Sequence, residues 1–122
     1  MTDPNPVPPP FRVVVSDRGR ALVITLSGEV DLLTAPQVAE AFDRDRRDHE
    51  LVVLDLREVS FMDSMGVRMA MSMKLRTEGD GCALVLAAAE DAPARRIIRV
   101  AQLEDVFRWV RDPGEALAAA SG

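Results

Sequence analysis

The chain has 122 residues, a formal charge of -5, 48% hydrophobic and 29% charged residues, and a single cysteine. That length accommodates one domain with a core, and the acidic balance argues against nucleic-acid binding, which calls for a basic face. No apolar run approaches the roughly 20 residues of a membrane span; Cys82, alone, forms no internal disulfide, and a reducing cytoplasm is the expected compartment.

In chain order, residues 1–10 carry five prolines and one larger apolar residue, Val7. Such a stretch supports neither a ladder nor a helix, so a flexible Pro-rich tail is expected over 1–10, without the character of a signal peptide, and a folded domain over 11–122. Phe11–Ser16 and Ala21–Ser27 are two β-rich runs around Asp17-Arg18-Gly19-Arg20, the composition of a hairpin. Gly28-Glu29-Val30-Asp31 closes the second strand. Thr34 with Gln37 three residues on fits a capping box, with Pro36 in the first turn, and Ala35, Val38, Ala41 and Phe42 fall on one helical face. The charged run Asp43–Glu50 is expected to face water, His49 included.

Leu51-Val52-Val53-Leu54-Asp55-Leu56, rich in Val and Leu, reads as a strand buried on both faces. A short loop and Phe61-Met62-Asp63-Ser64-Met65-Gly66 follow, then a helix, with Val67, Ala70, Met71 and Leu75 returning at helical spacing. Asp63 and Ser64 are both of the types favoured at helix N-caps. A hydroxyl is thereby placed at the mouth of a helix beyond the carboxyl end of a central strand, the edge at which open α/β sheets meet their ligands. On a helical wheel Gly66, Val67, Met69, Ala70, Met71 and Met73 form a core arc, with Lys74 snorkelling at its end, while Met65, Arg68, Ser72 and Arg76 lie opposite. Met65, apolar among polar neighbours, makes Met65, Arg68, Met69 and Ser72 a candidate docking patch.

Glu78-Gly79-Asp80-Gly81 is turn chemistry, and Cys82–Ala87 a buried strand with Cys82 a small core residue. Asp91-Ala92-Pro93 opens a third helix with Ala94, Ile97, Ile98 and Ala101 inward and Arg95, Arg96 and Arg99 on a solvated face. Val106–Val110 makes a last short strand, with Trp109 covering an edge of the core, and Asp112-Pro113 opens a final helix through Ala120. After the hairpin, strands alternate with helices, which implies parallel pairing with right-handed crossovers: a single α/β domain with a mixed sheet of four or five strands and about four helices.

Catalytic constellations are missing. One His and one Cys far apart assemble no zinc site. Glu29 and Asp31, two apart on an extended segment, form a carboxylate pair with neither nucleophile nor apolar pocket. Ser64 lacks the G-x-S-x-G elbow and a nearby base, and no Gly-rich loop with Lys-Ser/Thr marks a nucleotide site. The chain is expected to be no enzyme, with no catalytic residue, no metal and no cofactor.

The stretch "LDLREVSFMDSMG", with Ser64 directly after Asp63, resembles the phosphorylatable-serine motif of the STAS domain family, whose small single-domain members are bacterial anti-sigma-factor antagonists. Gly28-Glu29-Val30-Asp31 is similar to that family's second motif, Gly-Glu-Leu-Asp, and the resemblance extends in order and length over roughly residues 13–120. Two positions depart from the pattern: Met65 stands where Ser or Thr is common, and Arg68 where Gly is common. The resemblance implies a STAS fold and a binding switch. Its unphosphorylated form engages an anti-sigma factor, a serine kinase of the histidine-kinase-like ATPase fold, and releases the sigma factor. Phosphorylation of Ser64 disables binding, and a serine phosphatase resets the switch. Carried over to this chain, the partner-binding set is Gly28, Glu29, Asp31, Thr34, Met62, Asp63, Ser64, Met65, Gly66, Arg68, Met69 and Ser72. Neither nucleic acid nor membrane is an expected partner, and a weak homodimer is kept open. The competing reading is a STAS scaffold subunit of a larger signalling or lipid-transport complex in which Ser64 is never modified.

Overall fold

The computed structural model describes residues 10–121, so all but Pro10 of the expected proline-rich tail lies outside the described residues. Two β-rich runs form the expected hairpin: β1 (Arg12–Arg18) pairs antiparallel with β2 (Ala21–Val30), and Gly19 takes the left-handed conformation that the tight turn needs. From β2 onward every pairing is parallel, through β3 (Leu51–Met62), β4 (Ala83–Ala87) and β5 (Arg108–Val110), in the spatial order β1-β2-β3-β4-β5.

A sequential parallel order has a geometric consequence. Right-handed crossovers made in one direction across a sheet put every crossover helix on the same face. The three crossover helices, α1 (Ala35–Asp45), α2 (Ser64–Gly79) and α3 (Pro93–Val100), accordingly share one core with one sheet face. Leu22, Ile24, Leu26, Val52, Leu54, Leu56, Leu84 and Leu86 meet Val38, Phe42, Met69, Ala70, Met73, Ala94 and Ile98 there. The alternate residues Ala21, Val23, Leu51, Val53, Val85 and Ala87 form a second, smaller core with Ala116 and Leu117 of α4 (Pro113–Ser121), which follows β5. The expectation of a mixed sheet with four helices holds. At the carboxyl ends of α1 and α2, the Phe42 ring lies between the guanidinium groups of Arg46 and Arg76, 5.0 and 5.4 Å from its centroid, while these arginines also pair with Asp80 and Asp43.

Several local expectations need correction. Instead of yielding to a loop after Leu56, β3 runs on to Met62, because β2 continues beside it through two register shifts, after Thr25 and after Gly28. Asp55, inside the apolar run, is 1% exposed. It accepts hydrogen bonds from the Arg57 backbone N–H and from Arg57 Nε and Nη2 at 2.9–3.1 Å, and a longer one from the Thr25 hydroxyl at 3.4 Å. Leu75 and Ala101 are exposed, since α2 turns Leu75 outward and α3 ends at Val100. His49 is not solvated: its side chain is only 9% exposed, with Nε2 3.2 Å from Asp17 Oδ1, an arrangement that holds the Asp17 carboxyl below its usual range.

Nor do Arg95 and Arg99 form a free solvated face. Both reach Glu104, in a 3-10 turn (Glu104–Val106), at 3.0 and 2.7 Å. Arg95 also lies 4.6 Å over the Trp109 ring, whose indole N–H donates to the Glu104 carbonyl. Trp109 does cover an edge of the core, packing edge-on against Phe107. Arg99 and Arg95 hold the Glu104 carboxyl below the ordinary glutamate range. A carboxyl depressed in the folded state contributes stability above its unfolded value, and that contribution is lost as pH falls through the folded value. In thermal melts taken between pH 7 and pH 3, Glu104→Gln should therefore narrow the loss of Tm on acidification relative to the parent. At Asp55, replacement by Ala leaves Thr25 and the Arg57 N–H short of an acceptor and should lower the urea midpoint by an amount equivalent to about 1–3 kcal/mol.

Candidate functional site

Two loops emerge side by side at the carboxyl ends of β2 and β3, and each is fixed by an aspartate. The register that sets Glu29 against Phe61 and Val30 against Met62 carries the two strand ends out together. The Asp63 N–H then donates to the Val30 carbonyl at 3.1 Å, tying the second loop to the first. In the β2–α1 loop, Asp31 Oδ1 accepts from the backbone N–H groups of Leu33 and Thr34 at 2.9 and 3.0 Å. In the β3–α2 junction, Asp63 Oδ1 accepts from those of Met65 and Gly66 at 2.9 and 3.3 Å. Asp63 is thus the N-cap of α2 in extended backbone, and Ser64 is the first helical residue.

The capping box at Thr34 and Gln37 does not form. Thr34 Oγ1 is turned back to donate to the Glu29 carbonyl at 2.8 Å and to accept from the Asp31 N–H at 2.9 Å, so Asp31 does the loop-fixing that Thr34 was expected to do. These bonds of Thr34 join the Gly28–Asp31 motif to the start of α1.

Glycines set how closely the elements approach. Gly28 has φ +93°, and a Cβ there would lie 3.1 Å from the Phe11 Cα. The strand irregularity that lets β2 end beside Phe61 therefore needs glycine. At Gly66 a Cβ would fall 2.5 Å from Met62 Cγ and 3.0 Å from Val30 Cγ1, so the first turn of α2 rests directly on the ends of β2 and β3.

Exposure divides the expected binding residues. Ser64, Glu29, Arg68 and Ser72 are exposed, and Met65, Asp31, Thr34 and Asp63 are partly so. Gly28, Met62, Gly66 and Met69 are buried, Met62 completely. These four form the floor on which the exposed ones stand. The Ser64 hydroxyl makes no hydrogen bond to any described residue, while Arg76, on the same helix face, is committed to Asp43 and the Phe42 ring.

Sequence reasoning passed over three apolar side chains at this end. Leu32 and Leu33, in the loop behind Asp31, are 64% and 79% exposed, and Phe61, one residue before Met62 on β3, is 47% exposed. A Leu-Leu pair inside a capped loop was the available signal, since such loops are otherwise polar. Together with Met65 they give the surface around Ser64 the apolar content of a protein-binding face. An apolar groove of about 400 Å³ between α4 and the sheet, floored by Ala21, Leu51 and Ala83, lies at the amino ends of the strands, the opposite end of the sheet. Among the described residues no cluster of three or more His, Cys, Asp or Glu side chains is placed to hold a metal ion, and no helix is long and apolar enough to cross a membrane.

The caps predict a contrast measurable by urea denaturation. Asp63→Ala strands the Met65 amide, leaves the Gly66 amide only the backbone carbonyl of residue 63, and should cost about 0.5–2 kcal/mol. Ser64→Ala removes a hydroxyl without partners and should leave the midpoint within about 0.5 kcal/mol of the parent.

Comparison with known proteins agrees with this geometry. The chain is 28% identical over 117 residues to the anti-sigma-F factor antagonist RsfB of Mycobacterium tuberculosis, covering 94% of this chain and 93% of the relative. Among solved structures it is similar to an anti-sigma factor antagonist from Mycobacterium paratuberculosis, with a TM-score of 0.76 and 25% identity over 93% of this chain and 96% of that one. The fold alone is shared with the anti-sigma factor antagonist SpoIIAA in its unphosphorylated form (TM-score 0.72, 21% identity, 93% and 99% covered). It is shared as well with a sulfate transporter family protein from Wolinella succinogenes (TM-score 0.70, 20% identity, 88% and 89% covered). The model of the STAS domain matches residues 12–116, and the protein belongs to the STAS domain family.

Proposed function

We propose that this protein is an anti-sigma-factor antagonist whose binding is switched by phosphorylation of Ser64. The observation that carries the reading is the placement of the serine. Its hydroxyl is exposed and without a hydrogen bond to any described residue at the first position of α2, flanked by Met65, by the loop that bears Leu32 and Leu33, and by Phe61 at the end of β3. The fold by itself does not decide the matter, being common to the anti-sigma factor antagonist and the sulfate transporter family protein. The site and the relatives named as antagonists do favour one reading.

In this mechanism the unmodified face docks on the anti-sigma factor, with Leu32, Leu33, Phe61 and Met65 supplying apolar contact and Glu29, Arg68 and Ser72 the polar margin, so that the sigma factor is released. The partner is a serine kinase that brings ATP and Mg²⁺. Ser64 Oγ attacks the γ-phosphorus, the bond from that phosphorus to the β-γ bridging oxygen breaks, and the hydroxyl proton passes to a base on the kinase, leaving phosphoserine and ADP. The chain itself performs no catalysis and binds no cofactor; it acts in the cytoplasm, and a serine phosphatase restores it.

The added group carries about -1.5 to -2 charges at neutral pH. At the start of a helix such a charge sits well with the free-amide end of the dipole, so the fold tolerates it, while Asp63 opposes it. Across a closed interface the same charge finds no partner, and mismatching a buried charge there costs roughly 2–5 kcal/mol, about 30- to several-thousand-fold in affinity. Modification therefore acts on docking and leaves the fold in place.

Titration calorimetry against the cognate anti-sigma factor tests the switch: Ser64→Ala should bind as tightly as the parent, Ser64→Glu at least about 30-fold more weakly. Normal binding by Ser64→Glu would leave the scaffold reading. Leu33→Asp, at a side chain 79% exposed, should weaken binding at least about tenfold without lowering Tm.

A further inference from the structure

We propose that Arg68 is the counter-ion of phosphorylated Ser64, the modified side chain folding back onto its own helix as an intrahelical phosphoserine–arginine pair. This rests on the reading of Ser64 as a modification site. α2 is continuous from Ser64 to Gly79, so Ser64 and Arg68 stand at i and i+4 on one face, their Cβ atoms about 6 Å apart. Long helical side chains lean toward the N-terminus over the preceding turn, which aims the Arg68 guanidinium at Ser64. The order, anion before cation, is the favourable one for such pairs. Both residues are exposed, so no packing has to break for them to meet.

What singles out Arg68 is that its competitors are engaged. Along α2, Lys74 pairs with Glu78, and Arg76 with Asp43 and the Phe42 ring. Arg68 makes no ion pair with any described residue. The carboxylates at this end are likewise accounted for: Asp63 and Asp31 each hold two backbone amides, which leaves Glu29 as the exposed carboxylate of the neighbouring strand end. A phosphate on Ser64 offers the planar guanidinium of Arg68 two oxygens for a bidentate pair and more negative charge than any carboxylate within its reach. Modification then changes the docking face twice, adding negative charge at Ser64 and withdrawing the positive charge of Arg68 from the partner.

The test uses the full chain with phosphoserine incorporated at position 64 during translation, independent of any kinase, and follows the second ionisation of the phosphate by ³¹P NMR titration. With Arg68 present the phosphate should titrate about 0.15–0.4 unit lower than in the Arg68→Ala variant, with Arg68→Lys between them and the difference shrinking in 1 M salt. Coincident titrations of parent and Arg68→Ala would overturn the pairing, as would a difference that salt leaves unchanged. Because the phosphoserine is installed directly, this failure is separable from failure of the switch: a kinase that never modifies Ser64 refutes the switch and leaves the titration readable.

Discussion

The site depends on one short bond system, the Asp63 carboxylate accepting from the amides of Met65 and Gly66 while its own N–H is held by the Val30 carbonyl. The cap does two things at once. It satisfies the first turn of α2, so the serine that follows need not, and it anchors that turn to the end of β2. Ser64 is left as the first helical residue with its hydroxyl unused and outward. Had the serine been the cap, its hydroxyl would be committed to a backbone amide and its modification would break the helix start. Moving the cap one residue earlier leaves the Ser64 hydroxyl clear of that structural job.

The same constraint explains the neighbourhood. β3 must run six residues past Leu56 to deliver Asp63, and it does so along β2, whose Gly28 permits the irregular register that brings Glu29 beside Phe61. Gly66 then lets α2 sit down on Met62 and Val30. The buried members of the expected binding set are therefore the means by which the exposed ones reach the surface. The sequential parallel sheet gathers all three crossover helices on one face, and the starts of α1 and α2 fall together at one end of it.

Much of this was legible from residue pattern. The hairpin, the buried strand from Leu51, the inward face of α1 and the candidate cap at Asp63 follow from periodicity and capping chemistry, and the family from two short motifs. What escaped were features set by pairing across the chain. Arg57, Glu58 and Ser60 look like a loop because their side chains meet water, yet the strand runs on through them, with Glu58, Val59, Phe61 and Met62 registered against β2. Asp55 interrupts an apolar run and is tolerated only because Arg57 and Thr25 reach it. Thr34 has the right type and spacing for a capping box, but its hydroxyl is drawn back to the Glu29 carbonyl and the Asp31 N–H, while the Thr34 N–H that Gln37 would have bonded goes to the Asp31 carboxylate. Arg95 and Arg99 occupy what a helical wheel assigns to solvent, and only the 3-10 turn that brings in Glu104 shows otherwise. The exposure of Leu32, Leu33 and Phe61 depends on where two loops end, which no local window contains.

On the proposed function, a surface with an exposed hydroxyl at its centre, apolar side chains beside it and a polar margin suits a partner that must be held closely and released by one charge. The most direct measurement is intact-mass spectrometry with site mapping on the protein incubated with ATP, Mg²⁺ and its anti-sigma factor, followed by sedimentation of the mixture. One phosphate, confined to Ser64 and accompanied by dissociation of the complex, is the predicted result. An unmodified chain that stays bound, or a phosphate elsewhere that disrupts binding equally well, would contradict the account.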